Sequence, residues 1–316
     1  MKTIVVFGAG GFIGGRLSAR LLEKGHTVIG VDIKAHEYSN IPFTRFLQYD
    51  LREIQNVRDA IPENTDEVYQ LAADMGGATY INAGIYDADV MSNSILINTN
   101  TLKIAVEKKV KKIFYSSSAC VYPEYNQLEP DNPKCCEDSV YPAEPDTEYG
   151  WEKLFSERLY KAFEKQYNLN IRIARFHNIY GPYGTYDGGK EKAPAAICRK
   201  VYLSTGSIDI IGDGKQTRSF LYVDDCLDAI EKLMESDFKE PINIGSEEMV
   251  TINRLAEIVT NIAKRNISFQ YVPGPQGVRG RNSDNTLIRK VLGWEPKYSL
   301  ENGLTLTYKW IAEQLK

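Results

Sequence analysis

The stretch "VVFGAGGFIGGRL", residues 5–17, decides the fold class. An apolar, largely β-branched run ends at Gly8, and Gly11 and Gly14 follow at the spacing of a dinucleotide-binding fingerprint. Glycines here permit a tight turn and let backbone N–H groups approach a pyrophosphate at the N-terminus of the next helix. The pattern alone is weak evidence, but Asp32 ends the next predicted strand, which is the context that the fingerprint requires. The stretch therefore predicts a strand, a phosphate-binding turn and a helix.

Asp32 also indicates which cofactor the turn binds. Its carboxylate would accept hydrogen bonds from the hydroxyls of an adenosine ribose and would repel a 2′-phosphate, which favours NAD over NADP. Lys34 stands close enough in the sequence to soften that preference. A glycine turn that serves only packing is the alternative, and the strand–turn–helix context disfavours it. We therefore expect NAD as the cofactor.

The same alternation of strand and helix continues along the first part of the chain. Amphipathic helical patterns, for example those beginning at Gly15 and Asn98, separate short apolar runs that lack a polar face. Such runs are typical of strands in a parallel sheet that is covered on both faces. We predict an α/β fold, a doubly wound parallel (Rossmann) sheet with a smaller, mostly α C-terminal substrate domain. The candidate strands begin at Thr3, Thr27, Arg45, Glu67, Lys112 and Ile171.

The composition changes after about residue 176. Gly, Pro, Tyr and charged residues dominate "NIYGPYGTYDGGKEKAPAA", which predicts a long loop leading into a helix. We expect an NAD-binding domain and a nucleotide-sugar-binding domain that pack directly against each other. The predicted NAD-binding domain comprises residues 1–176 and a returning segment near 215–240, and the second domain comprises residues 177–214 and 241–316.

The overall composition excludes several classes of protein. With 43% hydrophobic residues, 25% charged residues and a net charge of −4, the chain gives no reason to expect nucleic acid or an anionic membrane as a partner. No apolar run reaches the roughly 18 residues that a membrane span needs. The five cysteines form no even framework and no CxxC pair, so we expect reduced thiols, a cytoplasmic location and no metal site.

A tyrosine and a lysine provide the first candidate catalytic groups. Tyr149 precedes Lys153 by four residues at the start of a predicted helix, so both side chains lie on one helix face. A phenol has an unperturbed pKa of about 10, and a nearby cation, including oxidised nicotinamide, would bring that pKa toward the useful range. Such a pair taken alone is more often a solvated helix face. A serine run in "YSSSACVYPEY" ends the strand upstream, however, and a hydroxyl there could orient a substrate alcohol for Tyr149.

Several blocks of the sequence resemble one enzyme family. "GAGGFIG", "SSSACVY", "YGWEK" and "RSFLYVDD" are similar to the extended short-chain dehydrogenase/reductase family, the NAD-dependent nucleotide-sugar epimerases and dehydratases. Within that family the chain most resembles the GDP-mannose 3,5-epimerases, on the blocks "LAADMGG", "SSSACVYPE", "YPAEPDTEYGWEK", "RFHNIYGPYGTYDGGKEKAPAAICRK" and "GVRGRNSDN". The last two blocks are far more specific than the glycine fingerprint. The resemblance runs through most of the chain. It implies a GDP-sugar as the substrate and a homodimer as the assembly.

The resemblance also implies a reaction. C4 of the sugar is oxidised transiently, protons exchange at C5 and C3, and bound NADH reduces C4 again. Cys120 and Lys192 are implied as the acid/base pair for the exchange. A ketone at C4 acidifies the hydrogens on both neighbouring carbons, so two such groups have a use. Two alternatives stay open: Cys120 as a small buried hydrophobe, and Lys190 in place of Lys192.

The full set of candidate site residues follows from the motifs and the resemblance together. The catalytic candidates are Ser118, Cys120, Tyr149, Lys153 and Lys192. The cofactor-binding candidates are Gly8, Gly11, Phe12, Ile13, Gly14, Asp32, Asp50, Leu51, Leu71, Ala72, Ala73, Tyr149 and Lys153. The substrate-binding candidates, with Arg281 and Asn178 assigned to the diphosphate, are Met75, Gly76, Gly77, Asn178, Lys192, Lys200, Lys215, Arg218 and Arg281.

Two competing hypotheses remain. The first is a related GDP-sugar C4 dehydrogenase or epimerase that acts on a heptose or a deoxyhexose, because the shared motifs do not fix the sugar. The second is a non-catalytic NAD-binding protein, such as a redox sensor or a scaffold. Proteins of that kind typically lose the Tyr/Lys pair, whereas Tyr149 and Lys153 are both present, so we disfavour the second hypothesis.

Overall fold

A computed structural model describes residues 1–82, 84–131, 135–274 and 277–316, with the backbone alone for residues 78 and 79. In this part of the chain the strands are β1 Thr3–Phe7, β2 Thr27–Asp32, β3 Arg45–Gln48, β4 Glu67–Gln70, β5 Lys112–Ser118, β6 Ile171–Phe176, β7 Ile179–Tyr180, β8 Ser207–Ile211, β9 Thr217–Ser219, β10 Leu221–Tyr222, β11 Ile242–Ile244, β12 Met249–Thr251, β13 Ser268–Val272 and β14 Gly280–Arg281.

The helices lie between these strands. They are α1 Phe12–Glu23, α2 Ile54–Ala60, α3 Ala78–Ile81, α4 Asp87–Glu107, α5 Glu148–Tyr167, α6 Ala193–Leu203, α7 Val223–Glu235, α8 Ile252–Ala263, α9 Thr286–Leu292 and α10 Leu300–Gln314. Single turns of 3₁₀ helix lie at Ala119–Val121, Glu124–Asn126 and Glu137–Val140.

The central element is a parallel sheet of seven strands in the order β11-β6-β5-β4-β1-β2-β3. The strand order reverses between β1 and β4, and both neighbours pair with β1 in parallel. In an open α/β sheet, ligands bind outside the carboxyl ends of the strands at such a reversal. The predicted doubly wound fold is confirmed, and the glycine-rich turn after β1 lies at this position.

Both faces of the sheet are buried, which explains why the strands lack a polar face. Ile4 and Val6 of β1 contribute to the core on one side, together with residues from the C-terminal part of the chain. Val5 and Phe7 contribute to the core on the other side. Because successive side chains of a strand point to opposite faces, a continuous apolar run is what a doubly covered strand requires.

The C-terminal part combines helices with short strands. A three-stranded sheet has the order β12-β9-β14, and β8 pairs with β13. Helix α7 lies in the returning segment predicted near 215–240, and β11 follows directly and joins the sheet beside β6. The division into two domains stays a prediction.

Two features are absent from the described residues. None of the helices there has the length and apolar character that would let it cross a bilayer. No group of three or more His, Cys, Asp or Glu side chains in the same residues is arranged to hold a metal ion.

Candidate active site

The glycine-rich turn has the close backbone approach that a dinucleotide site requires. Gly8 has a φ of +80°, and a Cβ on Gly14 would lie 2.1 Å from the carbonyl oxygen of Gly8. The Gly11 N–H donates to the same oxygen at 3.0 Å, and α1 begins at Phe12, followed by Ile13. Helix N–H groups therefore start where the predicted pyrophosphate would bind. This cradle fits NAD.

The carboxylate of Asp32 supports this turn directly. It accepts a hydrogen bond from the Gly10 N–H at 3.0 Å and one from the Lys34 N–H at 3.1 Å. Burial raises the pKa of Asp32, and the two backbone N–H donors oppose that effect. The predicted ribose acceptor is thus fixed against the turn that would hold the pyrophosphate.

The remaining cofactor candidates follow β3 and β4. Asp50 forms an ion pair with Arg52 at 2.6 Å, and the carbonyl of the buried Leu51 accepts a hydrogen bond from Asn100 at 3.1 Å. After β4, the amide of Gln70 accepts from the Ala72 N–H at 3.0 Å and donates to the Ala72 carbonyl at 2.9 Å.

The segment that follows β4 lies beside the glycine turn. A Cβ on Gly8 would lie 2.9 Å from the backbone nitrogen of Ala72 and 2.9 Å from the carbonyl carbon of Leu71. Leu71 and Ala72, with Ala73 next in the chain, therefore stand along the predicted path of the cofactor.

Strand β5 delivers the serine and cysteine candidates to the same edge of the sheet. The strand ends at Ser118, and the chain turns at once into the 3₁₀ helix Ala119–Val121. The Ser118 hydroxyl accepts a hydrogen bond from the Cys120 N–H at 3.2 Å, which caps this turn. The capped 3₁₀ turn therefore fixes the positions of Ser118 and Cys120 relative to each other.

Helix α5 brings Tyr149 and Lys153 to this turn. Thr147 caps the helix by accepting a hydrogen bond from the Gly150 N–H at 3.2 Å. A Cβ on Gly150 would lie 2.2 Å from the carbonyl oxygen of Cys120, so only glycine permits this approach. The first turn of α5 therefore packs on the backbone that carries the candidate thiol.

Burial dominates the electrostatics of the Tyr/Lys pair. The Lys153 ammonium donates to the Ser116 carbonyl at 3.1 Å and lies 5.6 Å from the centre of the Tyr149 ring. Burial raises the pKa of Tyr149 well above its usual value, with a further contribution from Cys120, while a hydrogen bond with Ser118 opposes the rise. Burial also lowers the pKa of Lys153, which is 2% exposed.

The charges of the described residues alone do not bring the Tyr149 phenol toward neutral pH. The desolvation of a buried phenol outweighs them, and sequence spacing does not report desolvation. The expectation from the sequence included the positive charge of oxidised nicotinamide, so it stays a prediction.

Arg281 occupies a position that the sequence does not predict. Its Nη1 lies 3.1 Å from the Cys120 sulfur, its Nη2 donates to Asp146 at 3.2 Å, and its Nε donates to Gln127 at 2.5 Å. Arg281 is 8% exposed. Burial would lower the pKa of Arg281, but the Cys120 thiol and the Asp146 carboxylate outweigh it and the pKa is raised. The predicted contact of Arg281 with a diphosphate stays a prediction.

Arg218 lies next to Arg281. The two residues are register partners on the parallel strands β9 and β14, so their side chains share a face. Burial, followed by the charge of Arg281, lowers the pKa of Arg218 to about 10. The buried Arg281 and the half-buried Arg218 place two cations side by side near Cys120, which suits an anionic ligand.

Lys192 and Lys190 have different surroundings. Lys192 is the N-cap residue of α6, and burial lowers its pKa while the charge of Cys120 opposes that effect. The Lys190 ammonium lies 4.0 Å from the centre of the Tyr80 ring. Tyr80 in turn packs against the cluster that contains Cys120 and Tyr149. The charge of Cys120 therefore acts on the pKa of Lys192, and the choice of Lys192 over Lys190 stays a prediction.

The predicted sugar loop lies against the same segment. The Gly77 N–H donates to the Lys190 carbonyl at 3.0 Å, and a Cβ on Gly77 would lie 2.3 Å from the Glu191 carbonyl oxygen. Gly76 is also buried, and Met75 is 36% exposed. Glycine is thus required where the loop at 75–77 meets the loop that carries Lys192.

The remaining substrate candidates, Lys200, Lys215 and Asn178, have no described contact with the Cys120 turn. The Lys200 ammonium donates to the Asp209 carbonyl at 2.8 Å, and Lys215 is exposed. Asn178 has a φ of +45°, and its side-chain amide donates to the Ser219 carbonyl at 3.0 Å. Their predicted contacts with the nucleotide stay predictions.

Comparison with known proteins identifies the family of this chain. A model of the family "NAD dependent epimerase/dehydratase family" matches residues 4–245, and the chain belongs to that family. GDP-mannose 3,5-epimerase of Arabidopsis thaliana is 46% identical over 315 residues, covering 99% of this chain and 83% of the relative. GDP-mannose 3,5-epimerase 1 of Oryza sativa subsp. indica is 46% identical over the same length, covering 99% and 82%.

A solved structure agrees as well. UDP-glucose 4-epimerase of Thermotoga maritima, solved with UDP-glucose, has a TM-score of 0.87 and 27% identity, and the match covers 99% of each chain. The predicted class, an NAD-dependent nucleotide-sugar epimerase and hence an isomerase, is confirmed, as is NAD as the cofactor.

Proposed function

We propose that the protein is a GDP-mannose 3,5-epimerase. The observation that carries the proposal is the position of the Cys120 thiol, which packs with Tyr149 in one buried cluster and contacts Arg281. A hydroxyl–tyrosine–lysine set alone suits oxidation and reduction at one carbon. A thiol added to that set supplies a second proton carrier, which epimerisation at neighbouring carbons needs. The relatives that are 46% identical carry this name.

The residues around the glycine turn would hold NAD, with Asp32 at the adenosine ribose and the start of α1 at the pyrophosphate. When bound, this cofactor supplies a hydride acceptor for C4 of the sugar and returns the hydride at the end of the cycle. Tyr149 would accept the proton of the C4 hydroxyl, and Ser118, whose side chain hydrogen-bonds with Tyr149, would orient that hydroxyl. Lys153 adds a positive charge behind the phenol.

Cys120 and Lys192 would exchange protons at C5 and C3. The lowered pKa of Lys192 increases the fraction of free amine near neutral pH, which is the form that can act as a base. The thiolate is the basic form of a cysteine, and the Arg281 guanidinium that contacts the sulfur places a positive charge beside Cys120.

The diphosphate of the GDP-sugar would bind at the paired arginines. Arg218 and Arg281 concentrate positive charge beside the thiol in a chain whose net charge is −4. Asn178, Lys200 and Lys215 are proposed as further contacts of the nucleotide. Guanidinium groups suit phosphate oxygens because they donate two parallel hydrogen bonds.

The same proposal includes a homodimer. Helices α4 and α5 expose large apolar side chains, namely Leu96 at 47%, Trp151 at 40% and Phe155 at 49%. A second copy of the chain would cover them, because exposed apolar area of this kind favours association. Light scattering of the purified protein tests this: Phe155→Glu should convert a dimer into a monomer, and a wild-type monomer would refute the dimer.

The experiment that tests the function supplies the purified protein with GDP-mannose or UDP-glucose and identifies the products by NMR. We expect epimers of GDP-mannose at C5 and at C3 with C5, without net oxidation. Conversion of UDP-glucose alone would refute the proposal and favour a 4-epimerase. Net formation of a 4-keto product from GDP-mannose would refute it in favour of the dehydrogenase.

A further inference from the structure

Three side chains hold the guanidinium of Arg281. Gln127 accepts from Nε, Asp146 accepts from Nη2, and the sulfur of Cys120 accepts from Nη1. Each partner binds a different nitrogen of the planar fork, so the direction of Nη1 is fixed by the other two contacts. Gln127 is fully buried, and the side chain of Asp146 is 9% exposed.

Gln127 is itself fixed in place. Its amide nitrogen donates to the carbonyls of Tyr122 and Pro123 at 3.0 and 3.2 Å, so its amide oxygen is left to accept from Arg281. The Gln127 carbonyl accepts from the N–H groups of Arg279 and Gly280. The turn that carries Cys120 and the strand that carries Arg281 are therefore joined through this one residue.

Asp146 differs from Gln127 because it carries a negative charge. A carboxylate that shares a guanidinium with a thiol competes with the thiolate for the same positive charge. Without such competition a buried guanidinium at hydrogen-bond distance would hold a cysteine as a thiolate. A group that serves as both acid and base must instead regain its proton in each cycle.

We propose that Asp146 is a positioning residue that aims Arg281 at Cys120 and offsets part of its charge, and so assists the return of the proton to the thiol in each cycle. This inference rests on the proposed function. Asp146 would act in the proton exchange and not in the hydride step. Its described hydrogen bond and ion pair are to Arg281, and neither joins it to the cofactor turn or to Tyr149.

Other charged and titratable groups also face the thiol, and each element around it contributes. The charge of Cys120 influences the pKa of groups on α5, at the start of α6 and on β9 and β14, namely Tyr149, Lys153, Lys192, Arg218 and Arg281. The guanidinium of Arg281 contacts both the sulfur and the Asp146 carboxylate, so a change at Asp146 reaches the thiol through a single residue.

The test measures the rate of alkylation of Cys120 by iodoacetamide as a function of pH, with the modified peptide quantified by mass spectrometry. Asp146→Asn keeps the acceptor oxygen but removes the charge. We expect the midpoint of the pH–rate profile to move down by about one pH unit, because Arg281 is then committed to the thiolate. Glu107→Gln removes a carboxylate from the exposed pair with Arg58 and should leave the midpoint unchanged.

A second variant covers the case in which Asp146→Asn does not fold. Arg281→Lys keeps the positive charge and loses the fork, so the thiolate should lose its contact and the midpoint should move up. A midpoint in folded Asp146→Asn that is unchanged or higher overturns the proposal, and so does an unchanged midpoint in Arg281→Lys. Alkylation needs no sugar, so failure of the proposed function would appear only in turnover of GDP-mannose.

Discussion

The guanidinium nitrogen of Arg281 lies 3.1 Å from the sulfur of Cys120, although the two residues are 161 positions apart in the chain. This contact joins the turn after β5 to the short strand β14, and so joins the cofactor-binding sheet to the C-terminal part. It also places a permanent positive charge at the one thiol that the family resemblance singles out. The proposed proton exchange depends on this contact.

Replacement of Lys192 and Lys190 should give unequal effects. Lys192→Met should lower the rate of deuterium exchange from solvent into GDP-mannose by about 10²-fold or more, because a general base is lost. Lys190→Met, which removes an ammonium that lies over Tyr80, should lower it less than about 10-fold. Equal losses in the two variants would remove the reason to assign the role to Lys192.

The pH dependence of the exchange should identify the same lysine. Burial lowers the pKa of Lys192, and the free amine is the active form of a base. The exchange rate should therefore rise with pH and level off above that lowered pKa, below the value of an exposed lysine. The rising limb should be absent from the residual activity of Lys192→Met, and its survival there would contradict the assignment.

Tyr149→Phe should abolish turnover while NAD still binds. The substitution removes the phenolic oxygen that would accept the C4 proton but leaves the buried ring, so the fold is retained. Calorimetric titration with NAD and a turnover assay with GDP-mannose measure the two effects. Turnover close to that of wild type would refute the role given to Tyr149.

Gly150→Ala should impair catalysis without touching a reactive group. A Cβ at this position would lie 2.2 Å from the Cys120 carbonyl oxygen, which is backbone, so α5 must move away from the turn. We expect kcat to fall by about 10²-fold, because misplacement by about 1 Å has such effects. The free energy of unfolding should fall by about 1–3 kcal/mol. Normal kcat with normal stability would mean that the helix and the turn are not in the contact described.

The stability of the protein should depend on His177 in acid. This residue is fully buried, its Nε2 contacts Asn243 at 2.9 Å, and burial lowers its pKa from 6.5 to about 3. Between these two values the unfolded chain binds a proton that the folded protein does not, so His177 makes stability fall as pH falls through this window. The contribution is at most about 1.4 kcal/mol per pH unit.

Urea unfolding at pH 7 and pH 5 measures this effect. His177→Gln should reduce the loss of stability between the two values, whereas His26→Gln, at a partly exposed histidine, should not. An identical loss in wild type and His177→Gln would show that His177 does not resist protonation in the folded state.

The fold and much of the site could be predicted because their signals are local. Gly8, Gly11 and Gly14 stand within seven consecutive residues that run from the end of β1 into α1. The apolar runs indicate that both faces of the sheet are buried. Gly150 could also have been recognised, since glycine in the first turn of a helix is unfavourable without a packing reason.

The contacts of Arg281 with Gln127, Asp146 and Cys120 could not be predicted in the same way. Gln127 and Asp146 lie 154 and 135 positions from Arg281 in the chain. The sequence around either residue has no pattern that indicates a partner so far away. The protonation of Tyr149 was likewise out of reach, because it depends on desolvation by residues from several elements.

The most direct test of the central claim is the incubation of GDP-mannose with the protein in deuterated water, with deuterium located by NMR in recovered sugar. Wild type should introduce deuterium at C5 and C3 as epimers form. Cys120→Ser should lose this exchange by about 10²-fold or more while still binding GDP-mannose. Sugar recovered from wild type without deuterium at either carbon, or exchange in Cys120→Ser at the wild-type rate, would contradict the account.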